Sequence, residues 1–289
     1  MVVGICASAG GLEAFTQLLQ HLPTDTGMAF VLVQHLDPAR DSALSEILSR
    51  VTSLSVREVA GNQPVEPNHI YVIPPNANLS MEGGVLKLGP RQRAGPHRSI
   101  DSFFESLAQD QRERAIGVIL SGTATDGTLG LEAIKAEGGI TFAQDESAKY
   151  DSMPRSAVAA GCVDFVLKPE DIAHELARIA RHPFVAGQLA AHFASPEDDR
   201  AFATAHEDDD TPLPSGGHGI PRNEAKQARD EGQATPDKAG DNGFKKILLL
   251  LRNHCGVDFS LYKSTTIQRR IARRTVLNKH DSLATYAQF

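Results

Sequence analysis

The stretch "VVGICASAGGLEAF", Val2 to Phe15, decides the fold. Val2, Val3 and Ile5 read as a buried strand, and Gly11-Leu12-Glu13-Ala14-Phe15 reads as the start of a helix. Between them stand only small residues, Cys6-Ala7-Ser8-Ala9-Gly10-Gly11. A strand that enters a helix through so small a turn is the unit of an α/β fold. Such a turn cradles a phosphate, presents a nucleophile, or is merely tight. A P-loop needs a lysine after its glycines, and Leu12 stands there. The dinucleotide pattern G-x-G-x-x-G does not fit either. The G-x-S-x-G elbow of α/β-hydrolases is close, but Cys6 holds its first glycine position.

Outward from this turn, the pattern repeats as far as about residue 183. Strands are expected over 2–6, 29–34, 55–59, 69–73, 85–88, 115–121, 139–143 and 163–167. Several are unbroken apolar runs, as parallel strands covered on both faces require. Helical patterns fill the gaps at 11–21, 42–51, 100–111, 127–137, 154–160 and 169–181. This alternation predicts an α/β fold with a doubly wound, mainly parallel sheet. "MEGGVLKLG", turning at Gly83-Gly84, predicts one antiparallel hairpin within it.

Residues 184–242 change character. They are rich in Asp, Glu, Pro, Gly and Ser and read as an acidic, disordered linker. Residues 243–289 read as a partial all-α segment and are basic. Ile267 and Ile271 share one helix face, and Arg269/Arg273 and Arg270/Arg274 repeat at the same spacing. That predicts an apolar stripe beside a stripe of four arginines. The segment is too short for a core of its own and reads as the start of a domain that continues.

Composition narrows the function. The net charge of −7 gives the whole chain no nucleic-acid signature. The three cysteines, Cys6, Cys162 and Cys255, are far apart, with neither a disulfide framework nor a metal-ligand spacing, which suits a reducing cytoplasm. No apolar run approaches the roughly 18 residues of a membrane span, and the N-terminus does not read as a signal peptide.

In an open parallel sheet, ligands gather at the carboxyl ends of the strands. Three such ends carry Ser8, His35 and Asp126. A serine hydroxyl needs a base, histidine supplies it near neutral pH, and a carboxylate holds the imidazole. The N–H of Ala9 and a second one from the Gly122-Thr123-Ala124 loop, taken as that of Thr123, are the candidate oxyanion donors. Each residue also has a plainer reading. Ser8 suits a helix N-cap, and Asp126-Gly127 suits an ordinary turn. Cys6 is a rival nucleophile that the strand period places inside the sheet.

These residues resemble the catalytic domain of the CheB family, the chemotaxis protein-glutamate methylesterases. Cys6-Ala7-Ser8-Ala9-Gly10-Gly11 is similar to that family's G-A-S-x-G-G turn, and Gln34-His35 to its Q-H strand end. Leu120-Ser121-Gly122-Thr123-Ala124-Thr125-Asp126-Gly127 is similar to its L-(S/T)-G-M-G-x-D-G loop. "YVIPPNANL", "HRSID" (His97 to Asp101) and "AQDESAKYDSMPRSAVAAG" (Ala143 to Gly161) add to the likeness, which covers about 1–183. The resemblance implies hydrolysis of γ-glutamyl methyl esters on methylated chemoreceptors, with glutamine deamidation as a related reaction. It implies Ser8 as nucleophile, His35 as base and then acid, Asp126 as its orienter, and no metal or organic cofactor. The chain departs from the pattern at Cys6, at Ala9 and at Thr123-Ala124, which replace Met-Gly. The family usually has a receiver domain ahead of the first catalytic strand, with which this sequence opens, so phosphorylation control in cis is not expected.

"DFSLYKSTTIQRRIARR", Asp258 to Arg274, resembles the opening helix of the CheR family of receptor methyltransferases. There the resemblance implies that Arg269, Arg270, Arg273 and Arg274 contact acidic receptor helices, whereas an ordinary solvated helix face is the plainer reading. The whole resembles a methylesterase joined to a truncated methyltransferase. A non-catalytic docking module on the same fold is the alternative.

Overall fold

A computed structural model describes residues 1–35, 43–90, 98–185, 237–259, 262 and 264–289. The opening stretch forms β1 (Val2–Ala7) and α1 (Gly11–His21). There follow β2 (Ala29–Gln34), α2 (Leu44–Ser49), β3 (Ser55–Glu58), β4 (Gln63–Pro64), β5 (His69–Val72), β6 (Ala77–Glu82) and β7 (Val85–Pro90). The unit closes with α3 (Ser99–Gln111), β8 (Ala115–Ile119), α4 (Thr128–Ala136), β9 (Ile140–Gln144), α5 (Ser152–Ala159), β10 (Phe165–Leu167) and α6 (Pro169–Arg181). The C-terminal helices are α7 (Asp237–Cys255), α8 (Ser264–Leu277) and α9 (Leu283–Tyr286).

Seven strands pair in the order β10-β9-β8-β1-β2-β5-β3, and every pairing is parallel. The order reverses at β1: the chain first builds outward through β2, then returns to lay β8 on the other side. That junction is the switch point where open α/β sheets hold their ligands. The hairpin at Gly83-Gly84 forms as expected, with both glycines at positive φ. It does not extend the main sheet. β6 and β7 join β4 in a separate three-stranded antiparallel sheet. Their half-buried alternation sets them apart from the buried central strands β1, β8 and β9 of the parallel sheet.

Strand period sorts the core into two layers. Val3, Ile5 and Ala7 face α1, α2 and α6, whose Phe15, Leu18, Leu48 and Leu176 are buried against them. Val2 and Cys6 face α3, α4, α5 and the small sheet, through Phe103, Phe104, Leu131 and Met153. Gly4 and Gly117 are register partners on the central strands. A Cβ on Gly4 would lie 2.8 Å from both Phe103 and Phe104, and one on Gly117 would lie 2.4 Å from Leu131. The two glycines open a trough that draws α3 and α4 down onto the sheet.

Phe184 and Val185 pack against the core of the first unit, and α7 begins at Asp237. The rest of the expected linker lies outside the described residues. Among the described residues no helix is long and apolar enough to cross a membrane.

Candidate active site

β1 ends at Ala7 and hands over to α1 through a turn in which Gly11 N donates to Ser8 O at 3.0 Å. Gly10, the third residue of that turn, has φ 75° and ψ 3°. That left-handed position favours glycine. A Cβ there would also lie 2.6 Å from Ser121 Oγ, and one on Gly11 would lie 2.7 Å from the Ala7 Cβ. The smallness of the turn thus follows first from what surrounds it.

The neighbouring loop holds the turn from outside. Ser8 N donates to Ser121 O at 3.0 Å, and Ser121 Oγ donates to Ala9 O at 2.8 Å. Ser121 Oγ in turn accepts from Tyr150 N at 3.0 Å, and Ser121 N donates to Gln144 Oε1 at 2.9 Å. Gln34 Nε2 donates to Ser8 O at 3.3 Å from the other side. The N–H groups of Ala9 and Thr123 have no backbone partner among the described residues. Ala9 lines the cleft over the turn, and Thr123 lies on the exposed part of its loop. Ala124, which stands where the CheB pattern has glycine, adopts φ 73°.

His35 follows β2 directly, and Asp126 lies in the loop between β8 and α4. His35 Nε2 and Asp126 Oδ2 are 2.8 Å apart. The His35 side chain is 25% exposed and that of Asp126 is 4% exposed. The carboxylate also caps α3: Oδ2 accepts from Ile100 N at 3.1 Å and Oδ1 from Asp101 N at 2.9 Å. Burial alone would push this carboxyl up. The hydrogen bond from His35 and those from the Asp101 and Ile100 N–H groups outweigh it, so the group lies below its ordinary value. Asp101 returns the favour. Its Oδ1 accepts from Gly127 N and Gly130 N, both at 2.9 Å, and so caps α4. An acid on α3 thus caps α4, and an acid in the loop just ahead of α4 caps α3.

Because Asp126 accepts from Nε2, Nδ1 is the imidazole nitrogen left for other work. Ser8 and His35 line one open cleft of about 650 Å³, together with Ala9, Gly10, Gln34 and Lys149. No hydrogen bond joins Ser8 Oγ to His35. Such bonds tighten when substrate binds. Cys6 is fully buried, as the strand period predicts. Burial, and then the charges of Asp126 and Asp101, push its thiol well above its ordinary range, which makes it a poor nucleophile.

The four arginines do not form one stripe. Arg270 and Arg274 are exposed. Arg273 is turned inward onto Asp164, and Arg269 Nε lies 3.4 Å from Glu113. The reading from sequence also passed over Ser121, Gln144 and Asp101 as positioning groups. All three are buried polar residues at strand ends or helix starts, inside motifs quoted above for other reasons.

At the switch point of the parallel sheet, a serine and a histidine thus line one cleft, and a buried carboxylate holds the histidine. The chain belongs to the CheB methylesterase family, whose model matches residues 3–176. A second family model, CheR methyltransferase, all-alpha domain, matches residues 242–289. A Burkholderia lata protein named "Protein-glutamate methylesterase/protein-glutamine glutaminase 2" is 41% identical over 185 residues, which cover 62% of this chain and 54% of that one. An "Uncharacterized 104.1 kDa protein in hypE 3'region" of Rhodobacter capsulatus is 32% identical over 247 residues, 85% of this chain and 24% of its own length. The chain thus spans about half of the first relative and about a quarter of the second. The crystal structure of the Thermotoga maritima CheB methylesterase catalytic domain superposes with a TM-score of 0.56 at 26% identity, over 62% of this chain and 97% of that one.

Proposed function

We propose that residues 1–183 form a protein-glutamate methylesterase unit that hydrolyses γ-glutamyl methyl esters on chemoreceptors, in the cytoplasm. Deamidation of glutamine is the related reaction, and the Burkholderia lata relative carries both activities in its name. The observation that carries this reading is the His35–Asp126 pair at 2.8 Å, with its carboxylate fixed by the start of α3, over the same cleft as Ser8.

The chemistry runs as follows. Ser8 Oγ attacks the ester carbonyl while His35 Nδ1 takes its proton. Asp126, ionised because its carboxyl is held low, stabilises the imidazolium through Nε2. The oxyanion accepts from Ala9 N–H, and Thr123 N–H is the second donor candidate; one such donor is worth about 3 kcal/mol in comparable enzymes. Methanol leaves with the proton from His35. Water then enters, His35 removes its proton, and the acyl-enzyme opens to glutamate and free Ser8. The segment from α7 onward is read as a CheR-type helical region whose arginines meet acidic receptor helices.

Methanol release from methylated receptor is the test, with Ser8→Ala as control. Release that disappears in Ser8→Ala is the expected result. Release no greater from the wild type than from Ser8→Ala overturns the reading and leaves a non-catalytic docking module. The exposed Arg270 and Arg274 are the observation that favours that second reading.

A further inference from the structure

Helix α8 lies against the base of the parallel sheet. Arg273, whose side chain is 16% exposed, donates from Nε to Gly139 O at 2.9 Å and from Nη2 to Asp164 Oδ2 at 2.6 Å. Gly139 immediately precedes β9, and Asp164 immediately precedes β10. One helical turn earlier, Arg269 reaches Glu113, just ahead of β8. Parallel strands all begin at this edge, whereas Ser8, His35 and Asp126 follow strand ends at the opposite edge.

A second line of contacts comes from α6. Arg178 Nη2 donates to Val276 O at 2.9 Å, and His182 Nε2 lies 2.8 Å from His280 O. Between the two lines, Val276 is buried in the core of the esterase unit and Thr275 is fully buried. Phe184 touches both that core and the small cluster of Ile247, Ile271 and Leu283 in the C-terminal helices.

We propose that this docking is the resting state of the chain, and that the esterase base and an acidic helical partner compete for one face of α8. The partner half of the inference rests on the arginine contact proposed above. A guanidinium grips one carboxylate through the Nε and Nη edge. In Arg273 that edge is already committed to Gly139 and Asp164. Asp164 does not depend on the arginine in return. It also accepts from Thr141 N at 3.1 Å and Thr141 Oγ1 at 3.0 Å, with Lys135 Nζ 3.5 Å away. An incoming carboxylate can therefore replace Asp164 on Arg273 without leaving a buried charge bare. Arg270 and Arg274, exposed in the docked state, supply the first encounter. Docking and undocking occur at the base, so the cleft at Ser8 stays open in both states.

The test uses the whole chain and a glutamate-rich helical peptide as probe. Asp164→Asn keeps an acceptor for Thr141 and removes the charge that holds Arg273. It is expected to loosen α8, read as faster amide hydrogen exchange there, and to tighten peptide binding by about tenfold through the larger competent fraction. Arg273→Gln approaches from the other side: exchange in α8 rises equally, and peptide binding weakens. Free exchange across α8 in the wild type overturns the docking. Faster exchange in Asp164→Asn with unchanged peptide affinity overturns the competition. A peptide that binds neither form sinks the arginine contact, and the exchange data then judge the docking alone.

Discussion

Asp101→Ala separates a cap from its catalytic consequence. The lost carboxylate leaves the N–H groups of Gly127 and Gly130 without their 2.9 Å acceptor at the start of α4. A lost N-cap costs about 0.5–2 kcal/mol. Each buried donor left unpaired costs about 1–3 kcal/mol. Because α4's first turn can relax toward water, the sum expected is about 2–4 kcal/mol of folding stability, read from urea unfolding midpoints. Gly127 adjoins Asp126, so the carboxylate facing His35 shifts as well. A displacement of about 1 Å at a catalytic group costs roughly a hundredfold in rate. Methanol release should therefore fall by about 10- to 100-fold in kcat, with KM little changed. Asp101→Asn retains one acceptor oxygen for both N–H groups and should recover most of the stability and most of the rate. The ion pair with the half-exposed Arg98, at 3.3 Å, contributes little. An Asp101→Ala variant that is destabilised yet turns over at the wild-type rate would refute the coupling. Equal damage from Asn and Ala would shift the cause from geometry to charge.

Three further outcomes are expected. The Asp126 carboxyl lies below its unfolded value, so its stabilising effect is complete above that value and is lost as pH falls through the folded one. Urea midpoints taken between pH 6 and pH 3 should fall more steeply for the wild type than for Asp126→Asn, and parallel slopes would contradict this. Ala124→Gly relieves a left-handed alanine and should add about 1 kcal/mol, seen as a higher melting temperature. A neutral thiol reagent at pH 8 should label exposed Cys255 and leave Cys6 unlabelled with activity intact, checked by mass spectrometry of the digested protein.

The central parallel strands were legible because a strand buried on both faces has little choice but Val, Ile, Leu, Phe and Ala. The turn at Ser8 was legible for a related reason: few residue types fit between β1 and α1. β6 escaped because Ala77–Glu82 is half polar, and β4, on the other side of β7, is only two residues long. Ser8, His35 and Asp126 could be picked out as strand-end residues, and the structure joins two of them directly. The supports around them could not be read that way. Asp101 works through a helix start some 25 residues away in sequence, a distance at which no local period carries information. The arginine face misled for the opposite reason. Helical spacing placed Arg269 with Arg273 and Arg270 with Arg274, but spacing does not say which pair meets a neighbour. Asp164 and Glu113, both remote in sequence, decide that.

The exchange of caps between Asp101 and Asp126 bears on when the enzyme becomes active. Asp126 has its full set of donors only once α3 has settled on the sheet, and α3 settles only where Gly4 and Gly117 leave it room. The turn at Ser8 comes from the first residues of the chain, but Ser121, much later in the sequence, holds it from outside. A chain emerging from synthesis cannot hold His35 in its pair with Asp126 until α3 and the loop ahead of α4 have folded. On the proposed mechanism, ester cleavage thus arrives with native packing, and half-folded chains carry a serine whose base is not yet oriented.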